Sequence, residues 1–265
     1  MGTDIKQKKM LQIDPPGTWC LNETFFQLIG KICPHSFIEV GPGEGHLSAR
    51  LCNKSIKGYG IDFSQAMIEI LKKNMQEYID RGVYSIIEAD VMTGSHGVEA
   101  DLVFSMLVME HLEDDLLFLD RLKMLARNNG YIIIAVPGRV DKWGIEDEVY
   151  GHYRRYDRKD LFRVMEEVCL KDIIINSVGF PVSNILFNLG NLMTRRSLYE
   201  EMNAFDMMEK TKNSGLKNVP YKTLFPAWVK LLLNRYTMFP VVNFQKLFYH
   251  TNLGLTLIGC GRVSE

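Results

Sequence analysis

Residues 36–51 read SFIEVGPGEGHLSARL: an apolar run (Phe37, Ile38, Val40) meets glycines at alternate positions, Gly41, Gly43 and Gly45, and an amphipathic stretch follows. A strand, a glycine turn and a helix start are suited to a nucleotide. Gly41 permits the tight turn, Gly43 lets a ligand approach the backbone, and Gly45 opens a helix whose free N–H groups attract negative charge. Glycines alone could merely turn the chain, so their spacing and surroundings must decide. The dinucleotide fingerprint G-x-G-x-x-G would place its third glycine at position 46, which is His46. Glu39, two residues before the first glycine, instead completes E-x-G-x-G-x-G.

Outward from this loop, apolar runs rich in β-formers occur at residues 36–40, 57–61, 84–88, 102–106 and 131–136. Between them, residues 64–78, 114–126 and 158–168 carry apolar side chains at three-and-four spacing, with Asp157 a candidate N-cap. Alternating strands and helices predict a largely parallel sheet covered on both faces. Two further runs, 173–178 and 255–260, would complete the sheet across a gap of about 75 residues. The gap, 180–252, is expected to be a helical insertion cut by Pro220, Pro226 and Pro240 into helices near 183–195, 198–210, 227–238 and 241–249. Residues 1–35 make an N-terminal helical extension, and 36–179 with 253–265 make the core.

Composition agrees with one large globular unit: 265 residues, 46% hydrophobic, 24% charged and a net charge of -1 exclude fibrous and disordered classes. No apolar run approaches the roughly 18–20 residues that span a bilayer. The start, MGTDIKQKKM, lacks the apolar core of a signal peptide, so a cytoplasmic location is expected. Five scattered cysteines form no metal or disulfide framework and read as buried small hydrophobes.

With these motifs in order, the chain resembles the class I S-adenosylmethionine-dependent methyltransferases. The resemblance implies a Rossmann-like α/β fold of seven strands, the last antiparallel, with helices on both faces. It also implies S-adenosyl-L-methionine as cofactor. Glu39, Gly41, Gly43 and Gly45 match the family's first motif. Asp62, in YGIDFS, matches the acidic residue that holds both ribose hydroxyls, and Asp90, in IIEADVM, the one that accepts from the adenine amino group. Phe63 and Val91 would wall the adenine. The stretch DLVFSMLVMEHLEDD resembles the fourth motif, whose Ser105 and Met106 would line the methionine end.

Methyl transfer from a sulfonium is an in-line displacement dominated by positioning, and a base matters only where the acceptor carries a proton of high pKa. His111, just past the fourth strand, and His152, in EVYGHYRRYDRKDL, are the candidate bases. Each has a plainer reading: the Glu110–His111 pair could cap the next helix, and His152 could order its loop. The segment G-H-Y-R-R-Y resembles one that faces the acceptor in methyltransferases of bacterial glycan, lipid and natural-product pathways. Tyr150, Tyr153, Arg154, Arg155 and Tyr156 are therefore candidate acceptor contacts, the arginines for carboxylate or phosphate. No metal is expected, since no carboxylate–histidine cluster shows convincing ligand spacing.

The resulting expectation is a small-molecule O- or N-methyltransferase acting on a bacterial metabolite, sugar nucleotide or natural-product intermediate. Neither an N-P-P-Y motif nor an RNA module points to nucleic acid. The alternatives are an NAD(P)-dependent oxidoreductase, which position 46 argues against, and a non-catalytic cofactor-binding protein with a basic membrane- or protein-contact surface. Charge bears on the partner. Residues 210–264 hold eight Lys or Arg and no Asp or Glu. The basic, aromatic stretch 223–250 could be an acceptor lid, a homodimer surface, a contact with anionic membrane, or a helical subdomain packing its own core. The one-sided charge favours an anionic acceptor. Turnover of such an acceptor should fall with rising ionic strength and on reversing Lys222, Lys230 and Arg235; kinetics insensitive to both would remove the charge argument.

Overall fold

The computed structural model describes residues 10–12, 14–94, 96–187, 224–226 and 233–264. In chain order its main elements are β1 (Met10–Gln12), α1 (Pro16–Ile32), β2 (Ser36–Val40), α2 (His46–Cys52), β3 (Lys57–Asp62), α3 (Gln65–Asp80) and β4 (Tyr84–Glu88). There follow β5 (Ala100–Met106), α4 (Asp115–Leu125), β6 (Ala126–Pro137), α5 (Ile145–Tyr150), α6 (Arg158–Glu167), β7 (Lys171–Val178), β8 (Leu224–Pro226) and β9 (Thr256–Arg262). A further helix, Arg235–Gln245, precedes β9.

Seven strands form one sheet in the order β4-β3-β2-β5-β6-β9-β7, while β1 and β8 form a separate antiparallel pair. Strands β2 to β6 pair in parallel, and β9 runs antiparallel between β6 and β7. Because β2 has β3 on one side and β5 on the other, the order reverses there. In open parallel sheets such a switch opens a crevice at the carboxyl ends of the strands.

The apolar runs are continuous because both faces are covered. Alternation along β5 sends Val103 to one face and Leu102 and Phe104 to the other; along β6, Ile132, Ile134 and Val136 oppose Ile133 and Ala135. On the first face lie Phe118, Leu119 and Leu122 of α4 with Leu161 and Met165 of α6. The second is covered by α1, α2, α3 and Val242 of the Arg235–Gln245 helix. Phe25 of α1 is fully buried, its ring 4.8 Å from that of Phe104.

Two segments remote in sequence are locked to this face by buried polar bonds. Gln245 accepts from the Gly179 amide (2.9 Å) and donates to the Cys20 carbonyl (3.1 Å), while Thr24 Oγ1 lies 2.9 Å from the Tyr249 hydroxyl. A buried amide satisfied on both sides ties α1 to the approach to β9.

Two expectations change, and one lies largely outside the described residues. Pro240 sits inside the Arg235–Gln245 helix instead of breaking it. The carbonyl it leaves without a helical donor belongs to Tyr236, which is 88% exposed, so water can satisfy it. Cys33 and Cys169 are exposed, both at left-handed backbone positions beside helix ends, whereas Cys20, Cys52 and Cys260 are buried. Of the expected insertion helices, 198–210 lies outside the described residues, as do 188–195 and 227–232 of two others; 182–187 is helical. No helix among the described residues is long and apolar enough to cross a membrane.

If α1 is an integral part of the second face, Phe25→Ala should cost about 3–5 kcal/mol of stability. Chemical denaturation would read this as a lowered midpoint; an unchanged midpoint would mean α1 is dispensable to the core.

Candidate active site

The glycine loop folds as its composition requires. Gly41, Gly43 and Gly45 all have positive φ (71°, 53° and 84°), a region that L side chains enter at a cost. Two of the three are also sterically closed: a Cβ on Gly41 would lie 2.6 Å from Val108 Cγ2, and one on Gly45 2.7 Å from Leu71 Cδ1. At Gly43 nothing stands within 4 Å, so this side of the loop is open for close approach to the backbone. The amides of Gly41 and Gly45 are spent on the Ile61 and Pro42 carbonyls, which holds the turn in shape.

Parallel register brings the other cofactor candidates to the same edge. Asp62 ends β3 opposite Glu88, and its carbonyl accepts from the Ala89 amide one residue before Asp90. Asp62 Oδ1 accepts from the Ser64 amide at 2.9 Å. Burial pushes the Asp62 carboxyl upward, against the pull of the Ser64 and Phe63 amides. Asp90 Oδ1 accepts from the Met92 amide at 2.9 Å and starts a short helical turn, Val91–Thr93. Val91 is buried, and Phe63 is 47% exposed at the strand tip, an unusual setting for a large aromatic.

Glu39 points elsewhere. Its carboxyl is buried under the loop, where it accepts from Ser48 Oγ (2.5 Å), and Ser48 in turn meets the Tyr84 hydroxyl (3.3 Å). Burial pushes its pKa up to about 8 despite the Ser48 bonds, so it keeps a proton at neutral pH. Its visible work is to brace β2 against α2.

The second half of the site begins at the tip of β5. Ser105 is buried and donates to the Val40 carbonyl at 2.8 Å, stitching this tip to the start of the glycine loop. Half-buried Met106 packs into the second face, and Leu107, at φ 59°, turns out of the strand. An open cavity of about 400 Å³ follows, bounded by Leu107, His111, Tyr150, His152, Arg155 and Phe187, with Glu110 at its wall.

His152 is held by a residue that the sequence had hidden. Asp147 of α5 is wholly buried, its Oδ1 accepting from His152 Nδ1 (2.7 Å) and Arg155 Nε (2.8 Å) and its Oδ2 from the Gly144 amide (2.9 Å). Burial alone would raise the Asp147 pKa, but the His152 and Arg155 bonds hold it below the usual range. An ionised carboxylate only accepts, so Nδ1 of His152 carries the hydrogen and Nε2 is left for other partners. The Tyr150 ring stacks on His152 at 6.2 Å, and His111 meets it edge-on at 4.8 Å. Burial, then the neighbouring His152, lower the His111 pKa to about 4, so that imidazole is neutral at pH 7.

The acceptor candidates therefore divide. Tyr150, His152 and Arg155 border the cavity, whereas Tyr153, Arg154 and Tyr156 are drawn into holding the loop. Tyr153 donates its amide to the Glu110 carbonyl. Arg154 pairs with Asp115 at 2.9 Å and donates to the Glu113 carbonyl, and buried Tyr156 donates to Asp115 at 2.9 Å. Asp147 and Glu110 escaped the sequence reading because I-E-D-E-V looks like a solvated acidic turn and Glu110 looks like a helix cap. Phe187, which lies over Arg155 with the guanidinium 5.8 Å from its ring centre, gave no signal at all.

A seven-stranded sheet that runs 3-2-1-4-5-7-6 in its own strand count, with a glycine turn after strand one, defines a Rossmann-like cofactor-binding protein. Residues 38–134 match the family model described as a methyltransferase domain, the family whose motifs this sequence resembles. No curated protein sequence matches the chain. Among solved structures it is similar to phosphoethanolamine N-methyltransferase 2 of Haemonchus contortus in complex with S-adenosyl-L-methionine, at TM-score 0.58 and 14% identity, covering 94% of this chain and 54% of that one. It is also similar to the N-methyltransferase NodS of Bradyrhizobium japonicum (TM-score 0.55, 11% identity, 95% and 90% coverage). A third, SpnF, is described as a (4+2)-cyclase (TM-score 0.58, 10% identity, 97% and 88% coverage). At these identities the likeness establishes the fold. The chain spans about half the length of the Haemonchus proteins it matches.

The proton on Glu39 has a measurable consequence. Folded, the carboxyl holds it to about pH 8, whereas its ordinary value is 4.5. Stability from this group is complete below the unfolded value and is lost as pH rises through the folded one. Between pH 6.5 and 8 the native protein should lose about 2 kcal/mol on this account. Glu39→Gln, which keeps the bond to Ser48, should show a pH dependence shallower by that amount in denaturant titrations.

Proposed function

We propose that the protein transfers a methyl group from S-adenosyl-L-methionine to an oxygen or nitrogen of a small acceptor seated in the cavity at the tips of β5 and β6. One observation carries this reading: the Ser105–Val40 bond sets the mouth of that cavity directly beside the glycine loop. A donor on one side of the switch and an acceptor on the other would then lie close together, which is what an in-line displacement needs.

The residues present fit the cofactor. Gly43 offers backbone with no side chain within 4 Å, Asp62 and Asp90 stand side by side at adjacent strand tips, and Phe63 is an exposed aromatic surface. In this reading Asp62 accepts from the ribose hydroxyls, Asp90 from the adenine amino group, Phe63 and Val91 flank the base, and Ser105 and Met106 shape the methionine end. The bound cofactor supplies an activated methyl on a sulfonium. Tyr150 and Arg155 orient the acceptor, and His152, fixed by Asp147, presents its Nε2 to it; His111 adds a neutral imidazole beside it.

A cavity of about 400 Å³ suits a metabolite, sugar nucleotide or natural-product intermediate. Arg155 is already neutralised by Asp147, so it contributes a donor more than a free charge. An anionic acceptor would owe its attraction to the basic 210–264 segment. Of that segment Lys210, Lys212, Lys217, Lys222 and Lys230 lie outside the described residues. Lid, membrane contact and homodimer all remain roles for the same segment, and a cyclase among the structural relatives favours a second reading in which the cofactor fold catalyses something other than methyl transfer.

Asp62→Ala should weaken S-adenosylhomocysteine binding by about 1–3 kcal/mol in calorimetry, with circular dichroism unchanged. His152→Ala should depress turnover of an acceptor found by methyl-transfer screening while leaving that dissociation constant intact. Retention of full cofactor affinity in the first variant would remove the ribose assignment, and unfolding of the second would make His152 structural.

A further inference from the structure

Glu110 and His111 leave β5 in the short turn Met109–His111, and His152 arrives 41 positions later, just after α5. The fold brings one ligand atom from each within 4.8 Å of the others. Two atoms of this group are buried and have no hydrogen-bond partner among the described residues: Oε2 of Glu110, a residue only 1% exposed, and Nδ1 of His111. Buried polar atoms are almost always satisfied, and two orphans in one cluster call for a shared partner that binds lone pairs. The third member is prepared in the same sense, because the Asp147 bond at Nδ1 leaves His152 its Nε2. A carboxylate that fixes the far nitrogen of a histidine is the usual outer support of a metal-ligating imidazole.

We propose that Glu110, His111 and His152 bind a divalent transition-metal cation, Zn²⁺ or Mn²⁺. Two imidazoles and one carboxylate are a donor set such ions accept, and three protein ligands leave coordination positions open, as in sites that bind a substrate. Those positions face the cavity that the three residues border. The cation's role rests on the methyltransferase reading: it anchors an acceptor through an oxygen donor at the tip of β5, which restricts acceptors to molecules that offer one. Binding itself does not depend on that reading.

The test uses the full chain, stripped with a chelator and dialysed against Zn²⁺ or Mn²⁺. Metal analysis should find one ion per chain, and calorimetry with the same ions should show at least tenfold weaker binding in Glu110→Gln and in His152→Ala. The exposed-histidine control His250→Ala should bind as the native protein does. Native protein that retains less than half an ion, or a folded Glu110→Gln that binds equally well, overturns the site. Should Glu110→Gln fail to fold, His111→Gln decides by the same criterion. S-adenosylhomocysteine binding by the stripped protein is measured in parallel; its absence would count against the methyltransferase reading alone, and its presence beside a protein that takes no metal would count against the cation alone.

Discussion

Six strands that run the same way oblige their connections to cross a face of the sheet, and they leave the carboxyl ends together on one edge. Everything else in this molecule follows from that constraint. Both faces must be covered, so α1 from one end of the chain and the Arg235–Gln245 helix from the other are recruited to the same side. Chemistry collects where the strands stop, since only there does backbone leave the ladder and polar side chains gather without interrupting it.

Among the described residues the protein buries several carboxyl groups near that edge, and three of them are treated differently. Asp147 stays ionised because His152, Arg155 and a backbone amide all point at it. Glu39 has the hydroxyl and amide of Ser48 for partners, and burial still leaves it protonated at neutral pH. Glu110 is pushed up to about 8 chiefly by burial, then by the charge of Asp147, and one of its oxygens meets nothing. Burying a carboxyl is costly unless its charge is matched or removed. Asp147 thereby orients the imidazole, Glu39 braces the glycine loop, and Glu110 is held ready for a partner.

The cavity is assembled from five stretches of chain: the turn after β5, the end of β6, the loop through His152, Phe187 and the start of β9. None would hold its position alone. The Gln245 clamp joins α1, Gly179 and the helix before β9, so a segment inserted late in the sequence can present Phe187 across Arg155. The segment after β7 is thus part of the cavity wall through Phe187.

The strands, the helices between them, the glycine loop and the carboxylates placed just after strands were legible in the sequence because each is local: a period of two, a period of three to four, or a residue directly after a strand. So was the family resemblance, which depends on those motifs in order. Side-chain direction in the G-H-Y-R-R-Y segment was not, since an irregular loop has no period; only packing sends Arg155 inward and Arg154 to Asp115. Asp147 carried no local signal, and the meeting of Glu110, His111 and His152 could not be read, because 40 residues of chain lie between His111 and His152. Sequence by itself determined which residues become strands and which glycines and carboxylates stand at the first three strand tips. Tertiary structure alone decided which ionisable groups lose water and which of them touch, since burial and proximity exist only once distant segments pack.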